Sequence, residues 1–446
     1  YSMGVFLFVW VIFIIVINYL KSFQPKIYGS NSKLLLISIL SLVILLIAKL
    51  ISFIPLNPEQ AWAQYFNPIP LYAFLMAILL NRKIAFFSMS INSIFIGMLN
   101  GNSLTITIVG MIGGAIAIFS ASSTRKRTQI FRAGFYMIGG SVFTIISLGI
   151  MDNISFKIYL FQSFGGMLSG FLAAMGTISL LPVLEYVFKI TTDITLLELS
   201  DFNHPLLKRL VIEAPGTYHH SLMVGNLAEA AAEEIGANAL LARVASYFHD
   251  VGKLSKPQYF VENAWNEKSR HEDLIPSMSS LIIIAHVKDG IDLAKKYKLN
   301  KEIIDAILEH HGTSLVYFFY KRATEEQKED DPKVSEEHYR YPGPKPQTKE
   351  TAIISLADSV EAASRTLDKP TPSRIENLVK YVINDKISKN QLDECDLTMK
   401  DLYKITARFC RILNATFHAR VKYPEEEKKK QGPLNGNTDK QPTKIS

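Results

Sequence analysis

Apolar residues follow two different rhythms along this chain, and the change between them falls near residue 186. Before it, near-continuous apolar runs occupy roughly 4–20, 34–55, 67–80, 84–100, 104–121, 134–151 and 158–184. Several reach the length a helix needs to cross about 30 Å of hydrocarbon. They predict seven membrane-spanning helices, with six as the alternative, because the run at 67–80 is short and only Asn81-Arg82-Lys83 separates it from the next. That run would also fit half of a tight helical hairpin or a re-entrant piece. Beyond 186 the apolar positions recur at helical spacing near 216–235, 239–250, 273–297, 300–311, 350–366, 373–388 and 398–415. Gly236, Gly252 and Gly312 stand where helices would stop. No run alternates as a strand would. The expected fold is all-α, a polytopic transmembrane bundle followed by an all-helical soluble domain.

The implied domain plan is a membrane region over 1–186, a connector helix within 187–215, a helical domain over 216–424 and a disordered tail over 425–446. The stretch 321–349 breaks the helical rhythm with mixed charge and then Pro342-Gly343-Pro344. A loop of that length between helices is often functional and would cap a site. The chain opens on Tyr1 rather than Met and enters an apolar run at once, which suggests that a natural N-terminal portion precedes it.

Charge settles a second question. The chain has a net +7, yet residues 1–186 hold 11 basic and 3 acidic side chains, while the remainder holds 37 basic and 38 acidic. The basic excess therefore belongs to the loops of the apolar half, and a nucleic-acid footprint on the soluble half is absent. Basic residues cluster at 21–33, 82–83 and 125–132 and avoid the alternate loops. The positive-inside rule puts those clusters, and everything after 186, in the cytoplasm. Cys395 and Cys410 are too few for a disulfide framework and fit a reducing compartment. Gly110-x3-Gly114 and Gly166-x3-Gly170 allow close helix packing within the bundle.

Candidate chemistry lies in the soluble half. His220, His249, Asp250, His286, His310, His311 and Asp358 fall on or at the ends of five predicted helices. Side chains from facing helices can converge on metal inside a bundle. Five imidazoles and two carboxylates exceed what one tetrahedral zinc takes. They suit two ions bridged by Asp250, one held by His220, His249, Asp250 and Asp358, the other by Asp250, His286, His310 and His311. Mixed ligation of this kind accommodates manganese, iron or zinc. Two metals about 3.5–4 Å apart activate a shared water for attack on a phosphodiester. Lys253, three residues after Asp250, would place its ammonium on a phosphate oxygen, a catalytic and substrate-binding role. His204, His219, His271, His338 and His418 are expected to be structural or exposed.

The stretches LLELSDFNHPLLKRL (196–210), EAPGTYHHSLMVGNLAEAAAEEIGAN (213–238), YFHDVGK (247–253), HVKDG (286–290), EHHGT (309–313), RYPGPKPQTKETAI (340–353) and LADSVEAASR (356–365) carry a resemblance. The soluble half is similar to an HD-superfamily phosphohydrolase domain. The whole chain resembles the bacterial seven-transmembrane HD phosphodiesterases that cleave cyclic di-AMP. That resemblance implies two divalent metal ions on the seven positions above, manganese or iron favoured, and hydrolysis of cyclic di-AMP to pApA. Asp250 and Lys253 take the catalytic positions, and Val251 replaces a commoner Ile without consequence. The implied setting is a bacterial plasma membrane, with the lipid membrane and the cyclic dinucleotide as partners, no nucleic acid, and homo-oligomerisation left open. Family members carry an extracellular sensor domain and one further helix ahead of the bundle. The rival readings are a phosphohydrolase for cyclic di-GMP or a mononucleotide, a non-catalytic nucleotide receptor, and a di-iron oxygenase. Arg340, Tyr341, Thr313 and Arg365 lie in these stretches without a role that the sequence assigns.

Overall fold

The structure is a computed structural model that describes residues 2–54, 58–121, 124, 126–264, 270–327, 333–368 and 370–418. The tail expected to be disordered lies outside them. Among the described residues the chain is helical and contains no strand, only an isolated antiparallel bridge between Leu315 and Arg340.

The apolar half forms α1 (Ser2–Phe23), α2 (Pro25–Tyr28), α3 (Asn31–Ser52), α4 (Ile69–Leu79), α5 (Arg82–Leu99), α6 (Leu104–Ala121), α7 (Thr128–Met151) and α8 (Phe156–Phe188). Among the described residues α1, α3, α6, α7 and α8 are long and apolar enough to cross a membrane. Phe6, Trp10 and Phe13 of α1 and Phe135 and Phe143 of α7 face outward. So large an apolar surface needs a lipid or protein cover. This is a membrane protein. Close packing inside it uses the expected glycines: a β-carbon on Gly170 would sit 2.7 Å from the Ile138 backbone nitrogen, so α7 and α8 meet at near-backbone distance.

The run at 67–80 departs from a simple span. It is α4, only 11 residues and roughly 16 Å long, too short to cross alone. Ile69, Tyr72, Phe74 and Met76 on different sides of it are all buried. A helix apolar all round is buried in lipid or in protein, and here protein covers it. A 3-10 segment, Pro58–Tyr65, leads into it and shares the traverse from the far end of α3 to Asn81. The basic loops then gather at one end of the bundle. Asn81 Nδ2 donates to Gln24 Oε1 (3.1 Å), Ser32 Oγ donates to the Phe188 carbonyl (3.0 Å), and Arg127 pairs with Glu198 (2.6 Å).

From that end the chain enters α9 (Asp193–Leu199) and α10 (Pro205–Glu213). The connector is thus two helices, where one was expected. Pro205 disfavours helical backbone at His204, and Asp201 draws the Asn203 amide onto its carboxylate (2.8 Å). The two hydrophobic cores divide within α9, Ile194 packing with the bundle and Leu196 with the helical domain beyond it. The second core is enclosed by α11 (Pro215–Ile235), α12 (Ala239–Phe248), α13 (Pro276–Lys296), α14 (Lys301–Glu309), α16 (Lys349–Ser364), α17 (Pro372–Ser388) and α18 (Met399–His418), while α15 (Tyr317–Glu325) packs on α13 outside it. Phe248, Ile303, Ile353 and Phe409 are fully buried in it.

Gly236 ends α11 in the left-handed region (φ 70°), as expected of a helix stop. Gly252 serves a different purpose. A β-carbon there would lie 1.8 Å from the His286 carbonyl oxygen, so its lack of a side chain lets the 3-10 segment Val251–Ser255 touch α13. The stretch 321–349 is partly ordered by α15 and a 3-10 turn, Glu336–Tyr339.

Candidate metal centre and its cavity

Each proposed ligand leaves an element at a point that the local sequence dictates. His220 is buried in the second turn of α11, and His249 caps α12 with Asp250 immediately after it. His286 lies midway along α13, His310 caps α14 with His311 next, and Asp358 lies midway along α16. The structure brings all seven together in two groups sharing Asp250: His220, His249, Asp250, Asp358 and Asp250, His286, His310, His311, each with ligand atoms within 4.8 Å of one another.

The two oxygens of Asp250 face different groups. Oδ2 lies 3.5 Å from His220 Nε2 and 3.3 Å from His249 Nε2, whereas Oδ1 lies 3.3 Å from His286 Nε2 and 3.7 Å from His310 Nε2. Asp358 Oδ1 is 3.0 Å from His220 Nε2, and its Oδ2 is 3.7 Å from His311 Nδ1.

The backs of the rings are already committed. His249 Nδ1 meets the Ser246 carbonyl at 2.6 Å, His286 Nδ1 the Ile283 carbonyl at 2.5 Å and His310 Nδ1 the Ile307 carbonyl at 2.8 Å. His220 Nδ1 meets Glu361 Oε2 at 2.5 Å, and Arg365 holds the other oxygen of Glu361. Such bonds fix the tautomer and aim Nε2 inward, as in metal-ligating histidines. His249 Nε2 and Asp250 Oδ1 are buried with no hydrogen-bond partner. Buried polar atoms are rarely left so. The donor set and these orphaned atoms fit a pair of divalent cations.

Charge in the cluster is balanced internally. Burial disfavours a charged His249, but Asp250 and Asp358 outweigh it and hold the ring's pKa up at about 10. Burial, reinforced by the neighbouring His249, drives His310 down to about 3, and burial with His310 lowers His311. Burial would raise Asp250, yet Lys253 and His249 keep it well below the usual carboxylate range. Neutral imidazoles and ionised carboxylates are the forms that bind metal, so His310, His311 and Asp250 already stand in those forms, whereas His249 would have to release a proton as metal enters.

Lys253 is held between two carboxylates, 2.8 Å from Asp250 Oδ2 and 2.7 Å from Glu262 Oε1. It lines a cavity of about 1040 Å³ together with His220, His286, His311, Tyr341 and Asp358. Tyr341, from the stretch expected to cap the site, stacks on His311 with ring centres 4.2 Å apart. Thr313 and Arg340 brace that region, the Thr313 amide donating to Gln391 Oε1 and Arg340 Nη1 to the Thr313 carbonyl. His219 and His338 are exposed, His271 Nε2 meets the Tyr259 carbonyl at 2.8 Å, and the side chain of His418 lies outside the described residues. None of the described ones joins the cluster. Glu361 and Glu262 were not anticipated. Glu361 had a signal, three residues after Asp358 on one helix face. Glu262 had none.

Two family models match in succession. The one described as "7TM receptor with intracellular HD hydrolase" covers residues 2–192, and the HD domain model covers 217–363. The chain belongs to the seven-transmembrane HD family. Its HD portion carries the centre just described. The chain is 40% identical over 421 residues, 93% of its length, to the cyclic-di-AMP phosphodiesterase PgpH of Bacillus subtilis, of which it covers 58%. It is 37% identical over 412 residues, 91% of its length, to the PgpH of Listeria monocytogenes, of which it covers 56%. The chain thus spans a little over half the length of these relatives. A crystal structure of the L. monocytogenes PgpH HD domain in complex with cyclic-di-AMP matches 49% of this chain and all of that one, at 47% identity and a TM-score of 0.46.

Proposed function

We propose that this protein is a membrane-anchored phosphodiesterase that holds two divalent metal ions in its HD domain and hydrolyses cyclic di-AMP to pApA. The observation that carries the reading is the pair of four-residue ligand groups joined through the two oxygens of Asp250 on the wall of a nucleotide-sized cavity. The naming of the B. subtilis and L. monocytogenes relatives supports the substrate.

When bound, two such ions supply Lewis acidity, lowering the pKa of water and offsetting charge on phosphoryl oxygens. The chain's own groups do the rest. Asp250 and Asp358 supply the negative charge that retains cations, and the carbonyl-anchored histidines hold their Nε2 atoms in place. Lys253, fixed by Asp250 and Glu262, presents positive charge at the cavity wall where phosphate charge develops. Manganese or iron is the favoured metal, with zinc an alternative.

The HD domain faces the cytoplasm of a bacterial cell, with the bundle in the plasma membrane. The reading is supported by basic loops that meet at the end of the bundle from which α9 leaves. The test is turnover of cyclic di-AMP beside cyclic di-GMP by detergent-solubilised, manganese-loaded protein. The expected result is pApA from the first substrate and little product from the second. Asp250→Ala is expected to abolish both turnover and the full metal complement. A variant keeping two metals and the wild-type rate would overturn the mechanism.

A further inference from the structure

The cations that line the cavity are not equivalent. Lys253 is paired with Asp250 and Glu262, Arg365 with Glu361 and Lys389 with Asp385. Lys386, near the end of α17, lines the same cavity and is only 7% exposed. Its ammonium reaches two neutral hydroxyls, Ser314 Oγ at 3.2 Å and Ser355 Oγ at 3.4 Å. Among the described residues no carboxylate lies within ion-pair distance of it. A lysine has three N–H donors, so one remains for another acceptor. Burial pushes its pKa below the ordinary lysine value, with Asp358 and Asp385 offsetting part of that effect. A buried ammonium held by hydroxyls alone is costly, and an anion entering the cavity would remove that cost.

Its position says which anion. Ser314 follows His311 by three residues, and Ser355 precedes Asp358 by three on α16. Lys386 therefore stands beside the metal centre but outside its ligand set. A cyclic dinucleotide carries two phosphodiesters on one ring, and only one can occupy the reacting position at a time. The other must rest elsewhere in the cavity. The geometry points to Lys386 as the anchor of this second, non-reacting phosphate, and hence as a specificity-determining residue for substrates with two phosphodiesters. The inference rests on the cyclic-dinucleotide reading above.

A bracing role, tying the segments that carry His311 and Asp358, is the competing account. Kinetics of the full chain, manganese-loaded, separate the two. Lys386→Met and Lys386→Arg are compared with wild type on cyclic di-AMP and on bis(4-nitrophenyl) phosphate, which has a single diester. Lys386→Met is expected to raise KM for cyclic di-AMP about tenfold or more, the loss of one hydrogen bond to a charged group. Its kcat should change far less, the single-diester substrate should lose much less kcat/KM, and Lys386→Arg should recover most of the affinity. An unchanged KM for cyclic di-AMP, or equal losses on both substrates, overturns the anchor. If the wild type cleaves the single diester but not cyclic di-AMP, the substrate reading fails first and this inference with it.

Discussion

At the scale of single residues, the geometry of the centre depends on bonds made behind the histidine rings. Four histidines point Nε2 inward because their Nδ1 atoms are engaged behind them, three by backbone carbonyls of their own helices and His220 by Glu361. The carbonyl bonds come with the helix and cannot be removed by a side-chain change. Glu361 can be. Glu361→Gln keeps the shape but removes the charge behind His220, and losses of this kind weaken metal binding roughly 10- to 100-fold. The expected outcome is weaker retention of one of two ions in competition with a chromogenic chelator. Two ions bound as tightly as in wild type would show that Glu361 does not position His220.

Among elements, the decisive contact is that of the 3-10 segment Val251–Ser255 with α13. It sets Asp250 and Lys253 against His286, and it depends on Gly252. Gly252→Ala would drive a carbon into the His286 carbonyl, so α13 or the HD turn must move. Overpacking of this kind costs about 1–3 kcal/mol. The melting temperature should fall, and the ion held by His286, His310 and His311 should be lost first. Gly139→Ala is the matched control, since a carbon there meets nothing within 4 Å. Equal melting temperatures in the two variants would refute the close-contact account. Elsewhere α14 joins two regions: Glu302 in its first turn accepts from Thr191 (2.5 Å) beyond α8, and His310 caps its other end.

For the whole molecule, sidedness depends on parity. Among the described residues the five long helices, or those five with α4 and α5 both added, make an odd number, which would put the start of α1 opposite the HD domain, whereas α5 crossing without α4 would make six and put the two on one side. Trypsin should cut the HD domain in inside-out vesicles and spare it in intact spheroplasts. Digestion in spheroplasts would reverse the assigned orientation.

Much of this was legible from residues alone. Helix positions came from apolar spacing, because a helix face must be buried whatever covers it. The seven residues that the structure brings together came from residue type and order, because few side chains hold metal. The two families of apolar run, continuous and periodic, separated the bundle from the HD domain. The cover over a given face, and the group beside a given charge, depend on chain segments far apart in sequence. Only the folded structure showed that α4 is wrapped by protein, that the connector breaks at His204, and that Gly252 is needed for contact rather than for ending a helix. It alone placed Glu361 behind His220, 141 residues away, and set Lys386 in the cavity between two serine hydroxyls. Local pattern specifies which groups are present; tertiary packing decides which of them are desolvated, paired and aimed.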